Sequence, residues 1–298
     1  MTTTAASTAL RAQQDKGRKA SQNREKWASV RTYISAAVIL IWCLAPAYWM
    51  VVTAFREVGF TYDTTPWPTH VTLDNFITAF DTSFGNKFGQ ALLNSIIIGV
   101  TVTVVSLIIG VFAAYALARL NFRFKYLVLG FILGASMFPG VALITPLFQL
   151  FTNIGWMGTY QALIIPNISF VLPLTVYTLT SFFREMPWEL EESARVDGCT
   201  QGQAFRKVIM PLAAPAIFTT AILAFISSWN EFLIASQLSN EATKPVTVAI
   251  ASFAGAQPNQ IPYTAIMAAG TIVTIPLVIL VLVFQRKIVA GLTAGAVK

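Results

Sequence analysis

Charge is scarce in this chain. Only 11% of its 298 residues are charged, 20 Lys and Arg against 13 Asp and Glu. A soluble domain carries about a quarter, so with 55% hydrophobic residues the balance excludes an ordinary globular domain and indicates a polytopic membrane protein. Histidine occurs once, at His70, and cysteine twice, at Cys43 and Cys199. These numbers exclude a histidine metal cluster, a disulfide framework and C-x-x-C metal spacing. No G-x-x-x-x-G-K-S/T loop occurs, so nothing here is built to cradle phosphates. No Ser/His/Asp or Cys/His set is available for nucleophilic catalysis either. The chain is therefore expected not to be an enzyme by itself and to bind no cofactor or metal of its own.

Long apolar runs dominate what remains. They cover about 32–54, 91–117, 126–149, 160–183, 212–236 and 263–285. About 20 residues of helix cross the roughly 30 Å of bilayer hydrocarbon. Backbone groups in lipid must be satisfied within the segment, which predicts an all-α protein of six transmembrane helices. Ala45-Pro46-Ala47 mimics a signal-peptidase site, but the first run stays apolar well past it, unlike a signal peptide.

The placement of the basic residues sets the orientation. Arg11, Lys16, Arg18, Lys19, Arg24, Lys26 and Arg31 lie before the first run. Arg119, Arg123, Lys125, Arg184, Arg195, Arg206, Lys207, Arg286, Lys287 and Lys298 fall in segments on the same side; only Arg56, Lys87 and Lys244 fall on the other. The positive-inside rule puts both termini in the cytoplasm. The net charge of +7 is thus a topology signal and not a nucleic-acid footprint. The expected organisation is a basic cytoplasmic tail over 1–31, disordered or helical near the membrane, a membrane domain over 32–285 and a cytoplasmic tail over 286–298. Within the membrane domain, 184–211 is a cytoplasmic loop and 237–262 an outer loop. Pro46, Pro139, Gly140, Pro146, Pro166, Pro173, Pro215 and Pro276 interrupt the runs, as tolerated kinks or as hinges beside a cavity. Gly130 and Gly134 form a GxxxG, a close-packing surface for another helix.

One polar stretch, EESARVDGCTQGQAFRKVIMPLAAP (Glu191 to Pro215), stands out between these runs. Pro187 suits a first helical turn. Glu189, Glu191 and Glu192 favour the positive end of the helix dipole. Glu191 and Arg195 have the i,i+4 spacing of an ion pair. Gly198 suits a left-handed helix stop, and Thr200 with Gln203 fits a capping box. Phe205, Val208, Ile209 and Leu212 then make one apolar stripe. The spacing predicts a helical hairpin, which either folds against its own bundle or docks into a groove on a soluble partner.

The same stretch resembles the EAA loop of binding-protein-dependent ABC importer permeases. Their pattern of E-A-A, D-G, Phe and Pro reads here as Glu192-Ser193-Ala194, Asp197-Gly198, Phe205 and Pro211, with Ser193 in place of the first alanine. TLDNF (Thr72 to Phe76), LNSI (Leu93 to Ile96), SSWNEFL (Ser227 to Leu233) and IVAGLTAGAVK (Ile288 to Lys298) resemble the carbohydrate permeases of the maltose-permease G-subunit type, and above all actinobacterial permeases for trehalose, maltose and related α-glucosides. The resemblance covers nearly everything after residue 31. It implies the type I ABC importer permease fold and a multi-pass protein of the cell membrane. It implies a second homologous permease subunit, two copies of an ABC ATPase carrying ATP and Mg, an extracytoplasmic sugar-binding lipoprotein, and a disaccharide substrate. It implies further that Glu191, Glu192, Ser193, Ala194, Asp197, Gly198, Phe205 and Pro211 form the coupling element that meets the ATPase.

For the sugar path, Trp229 offers an apolar face, Asn230 a donor and an acceptor, and Glu231 a charge that is costly deep in a bilayer. Interfacial Trp and solvated Glu would look the same. Asn94 and Tyr177 are further candidates. By resemblance, Ala256, Gln257, Pro258, Asn259 and Gln260 tip an outer loop that reaches into the binding protein, although Q-P-N is also plain turn chemistry. A stand-alone secondary transporter or channel for a small polar solute is the alternative; it predicts intramembrane relay carboxylates and often an internal repeat, and Glu231 is the one such carboxylate. A membrane-embedded enzyme lacks its catalytic set, and a permease for amino acids lacks the WNEF and C-terminal matches.

Overall fold

The computed structural model describes the backbone of residues 2–83, 85–253 and 261–294, with side chains described from residue 27 to residue 285 of these. The described α-helices are α1 (Thr2–Ala54), α2 (Asp74–Phe80), α3 (Phe88–Arg119), α4 (Lys125–Ser136), α5 (Gly140–Asn153), α6 (Tyr160–Glu185), α7 (Glu189–Val196), α8 (Gln201–Ala204), α9 (Met210–Trp229), α10 (Leu233–Leu238), α11 (Val246–Ala251) and α12 (Tyr263–Ala294). Among the described residues no strand forms beyond one isolated bridge between Arg56 and Val71. The all-α expectation holds.

Among the described residues, five helical stretches are each long and apolar enough to cross a membrane: Trp27–Ala54, Phe88–Arg119, Tyr160–Glu185, Gln201–Trp229 and Tyr263–Gln285. The run expected as a span over about 126–149 is the pair α4 and α5, bent by 87° at the break between them, which makes a sixth span if the pair crosses as one. Pro139 explains the bend. It has no N–H to continue the ladder, and its own backbone is extended, with ψ 121°. Pro146, Pro166, Pro173, Pro215 and Pro276 lie inside helices that continue through them.

The centre of the fold is α3, which packs along α6 and α9. Glycine makes both approaches possible. A Cβ on Gly110 would lie 2.6 Å from Thr175 Cγ2 of α6, and one on Gly99 would lie 2.9 Å from the Phe225 ring of α9. By contrast, a Cβ at Gly130 or Gly134 would meet nothing within 4 Å, so no element described here packs on that GxxxG. At the periphery, none of the apolar window of α1 is buried and only 11% of that of α12. The tail, expected to be disordered or helical near the membrane, continues α1 back to Thr2; it is rich in Ala, Gln, Lys and Arg, all good helix formers. Likewise α12 runs on to Ala294, past the expected boundary at 285.

Beyond α1 the chain folds back on itself. Asn75, in TLDNF, donates from Nδ2 to the Ala54 carbonyl at 2.9 Å and the Arg56 carbonyl at 2.6 Å. The buried Arg56 guanidinium donates to the carbonyls of Asp63 and Thr65 and lies over the Trp49 ring at 4.7 Å. In the same turn, hydrogen bonds from the Thr65 hydroxyl and N–H hold the Asp63 carboxyl below its usual range. TLDNF therefore closes one end of the first span.

Candidate functional site

The polar stretch is the helical hairpin that its spacing predicts. α7 ends in a Schellman turn: the Cys199 N–H donates to the Ala194 carbonyl and the Gly198 N–H to the Arg195 carbonyl, both at 3.0 Å. Gly198 sits at φ 88°, a conformation that side-chain-bearing residues rarely adopt. The capping box is present as well. The Gln203 N–H donates to Thr200 Oγ1 at 3.3 Å, and the Thr200 N–H donates to Gln203 Oε1 at 2.9 Å. The turn exposes Glu192, Ser193, Arg195, Asp197 and Gly198, while Ala194 and Phe205 are buried.

Two local expectations are corrected. Glu191 makes no ion pair with Arg195. It is buried, with 5% of its surface exposed, and accepts a hydrogen bond at 2.9 Å from Tyr115 Oη of α3. The inward face of α7 thus takes Glu191 and Ala194, and Arg195 points to solvent. The stripe after Thr200 also changes phase. Residues Phe205–Ile209 form a π turn, and the Met210 N–H donates to the Phe205 carbonyl. Pro211, which has no N–H and crowds the carbonyl four residues back, explains the widened turn. The extra residue rotates Leu212 outward to 47% exposure, so the buried series becomes Phe205, Ile209 and Ala213.

The hairpin rests on a cluster that the sequence reading missed. Phe205 packs on Tyr115 with ring centroids 4.5 Å apart and lies 5.8 Å from Phe112. Arg119, 4% exposed, donates to the Met186 carbonyl at 3.0 Å and lies over the Trp188 ring at 4.5 Å. The available signal was Tyr115 and Arg119 at i,i+4, closing an otherwise apolar helix.

At the opposite end of α3, the WNEF segment interrupts the fifth run. The run expected over 212–236 stops at Trp229, and Glu231 builds the restart. Its carboxylate accepts from the N–H groups of Ile234 at 2.7 Å and Ala235 at 3.0 Å, at the start of α10. Asn230 is exposed, and its Nδ2 donates to the Ile226 carbonyl at 2.8 Å. Trp229, expected to offer a flat face, is 2% exposed, packed with Ala79, Phe88, Val246 and Ala269. Burial of the indole by α2 and α11 was invisible to local pattern.

Asn94 is wholly occupied by protein partners. Its Nδ2 donates to the carbonyls of Ala242 and Lys244, both at 3.0 Å; its Oδ1 accepts from Tyr160 Oη at 2.7 Å and Gln90 Nε2 at 3.1 Å. Next to it, Ser95 Oγ accepts from the Val246 N–H at 2.8 Å. LNSI therefore ties the segment before α11 to α3. A cleft of about 10 Å³ lies between Ser95, Asn167, Ser228 and Glu231, roughly the room one water needs and too little for a sugar ring. Tyr177 is 48% exposed on α6. The loop expected over 237–262 carries α11, and its expected tip, Ala256 to Gln260, lies outside the described residues.

Comparison with known proteins agrees with this architecture. The sequence pattern of the family described as "Binding-protein-dependent transport system inner membrane component" matches residues 106–293. The chain is 45% identical over 273 residues to the trehalose transport system permease protein SugB of Mycobacterium tuberculosis, covering 91% of this chain and 97% of that protein. It is 40% identical over 267 residues to the trehalose/maltose transport system permease protein MalG of Thermococcus litoralis, covering 89% and 95%. Its fold resembles a chain of a bacterial ABC transporter involved in the import of the acidic polysaccharide alginate, with a TM-score of 0.72 at 21% identity, over 87% of this chain and 95% of that one.

Proposed function

The chain belongs to the family of binding-protein-dependent transport system inner membrane components, and from that premise we propose that it is the permease subunit of an ATP-driven importer for trehalose, maltose or a related disaccharide. The two trehalose-related relatives, each matched over nine-tenths or so of both chains, support that choice of sugar. The translocation path forms between this chain and a second, homologous permease. The uncovered helix faces support that pairing, above all α1 and α12. Two ATPase copies on the cytoplasmic side bind and hydrolyse ATP with Mg, and a lipid-anchored sugar-binding protein delivers the sugar from outside. Both termini are cytoplasmic, as the distribution of Lys and Arg indicates.

The observation that carries the coupling role is the hairpin. Its polar face, with Glu192, Ser193 and Asp197, is exposed, while its turn geometry is fixed from within by the Schellman turn and the capping box. A rigid polar knob with its apolar side already buried is suited to docking as a unit into a groove on a soluble partner. ATP-driven closure of the ATPase pair moves two such hairpins together. The spans then turn outward and receive sugar, and hydrolysis resets them. Glu192 meets a basic ATPase residue. On the sugar path, Tyr177 and Asn230 remain exposed for contact, while Trp229, Glu231 and Asn94 are engaged by the protein itself, and Ala256 to Gln260 reach toward the binding protein.

Gentle detergent purification of the tagged chain from its own cells tests this reading. An ATPase, a second permease and a sugar-binding lipoprotein should accompany it. Glu192→Lys should leave membrane insertion intact and abolish ATP-dependent uptake. A chain that purifies alone and transports without ATP, or full uptake by an assembled Glu192→Lys complex, refutes it.

A further inference from the structure

The hairpin has covalent connections to two helices only. It follows α6 through Met186 to Trp188, and it runs through the π turn into α9. The central helix α3 is not its neighbour in sequence, yet α3 carries the close contacts to both α6 and α9. Any displacement of the hairpin reaches α3 directly only through side chains. Val111, Phe112, Ala114 and Ala118 of α3 share an apolar cluster with Phe205 and Ile209, and the polar side chains among the contacts are two. Tyr115 touches both arms: its hydroxyl donates to Glu191 of α7 at 2.9 Å, and its ring packs on Phe205 behind α8. Arg119, one turn on, grips the chain just before α7 through the Met186 carbonyl and the Trp188 ring.

The polar inventory of this cluster argues against mere filling. Glu191 Oε2, Arg119 Nε and Arg119 Nη1 are buried without hydrogen-bond partners. An apolar trio of similar size would pack there without leaving such groups unpaired. What the polar set adds is direction. A hydrogen bond to a carboxylate has a narrow distance and angle range, whereas apolar surfaces slide over one another.

We propose that Tyr115 and Arg119 are positioning residues for coupling. Through Glu191 and the Met186 carbonyl they lock the hairpin to α3, so that hairpin and central helix move as one body. The inference rests on the hairpin's being the ATPase-coupling element. Without the lock, the hairpin holds α3 only through apolar contacts that can slide, and ATP is hydrolysed with less opening of the path.

Tyr115→Phe removes the hydroxyl and keeps the ring on Phe205, so the core stays filled. Glu191→Gln keeps an oxygen acceptor for Tyr115, and Glu191→Ala removes it. Each is measured in the whole complex in proteoliposomes, as sugar taken up per ATP hydrolysed and as ATPase retained per permease. Tyr115→Phe and Glu191→Ala should lower uptake per ATP by about tenfold, the scale of losing one hydrogen bond to a charged group. ATPase retention by Tyr115→Phe should be unchanged, and Glu191→Gln should lose far less uptake per ATP than Glu191→Ala. Wild-type uptake per ATP in Tyr115→Phe overturns the lock, as does a Glu191→Gln defect as large as that of Glu191→Ala. A wild-type complex that retains no ATPase overturns the coupling reading itself, and the lock with it.

Discussion

Gly110→Ala adds one methyl group where α3 meets α6. The new Cβ would lie 2.6 Å from Thr175 Cγ2, 3.5 Å from Thr175 Cβ and 3.8 Å from Leu179 Cδ1. Carbon atoms rest about 3.5–4.0 Å apart, so the methyl pair must separate by roughly 1 Å. Thr175 is 1% exposed and resists rotation, because its Oγ1 donates to the Val171 carbonyl at 3.0 Å. The helices must therefore part, at the about 1–3 kcal/mol typical of core overpacking. At about 2–4 °C per kcal/mol for larger domains, the midpoint of heat inactivation should fall by several degrees. Thr175→Ser removes the clashing Cγ2 and keeps the hydroxyl. By itself it opens a methyl-sized gap worth about 1 kcal/mol; combined with Gly110→Ala, the new methyl occupies that gap. The double variant should lie close to wild type, far from the sum of the singles. The assay heats the detergent-purified complex and reads the surviving monodisperse fraction by size exclusion. Strict additivity, or a wild-type midpoint for Gly110→Ala, would refute the claim that glycine sets the α3–α6 distance.

Two further outcomes follow from the far end of α3. Gly158→Ala places a Cβ 2.3 Å from Asn240 Nδ2 at a residue with φ 71°, so it should loosen the 158–243 contact and expose Glu241 to Lys244 to protease in intact proteoliposomes. Asn94→Leu forfeits its four side-chain hydrogen bonds to Gln90, Tyr160, Ala242 and Lys244 and strands two carbonyls, at about 1–3 kcal/mol for each buried group left unpaired; hydrogen exchange at the N–H groups of Ala242 to Thr247, other than Pro245, should accelerate at least tenfold while α6 amides stay protected.

The hairpin was legible because its signals are local. Gly198, the Thr200–Gln203 capping box and the apolar residue Phe205 act within a few residues of their partners, and each stands where spacing places it. The same locality makes the helical class and the six apolar runs readable. The functional assignment came from motif resemblance, since neither composition nor periodicity specifies a transported solute.

Tertiary structure decided the rest, wherever a residue's partner lies far along the chain. Glu191 has Arg195 at ion-pair spacing, yet α3 supplies Tyr115, 76 positions away, and the carboxylate turns inward. Asn94 reads as a candidate sugar contact until segment 242–244, 148 and 150 positions on, closes over it. Trp229 reads as an exposed platform until α2 and α11 bury it. Helical periodicity reports that a face exists, because it follows from 3.6 residues per turn. Which face is covered, and by what, depends on where other helices come to rest, and a single run of residues carries no record of that.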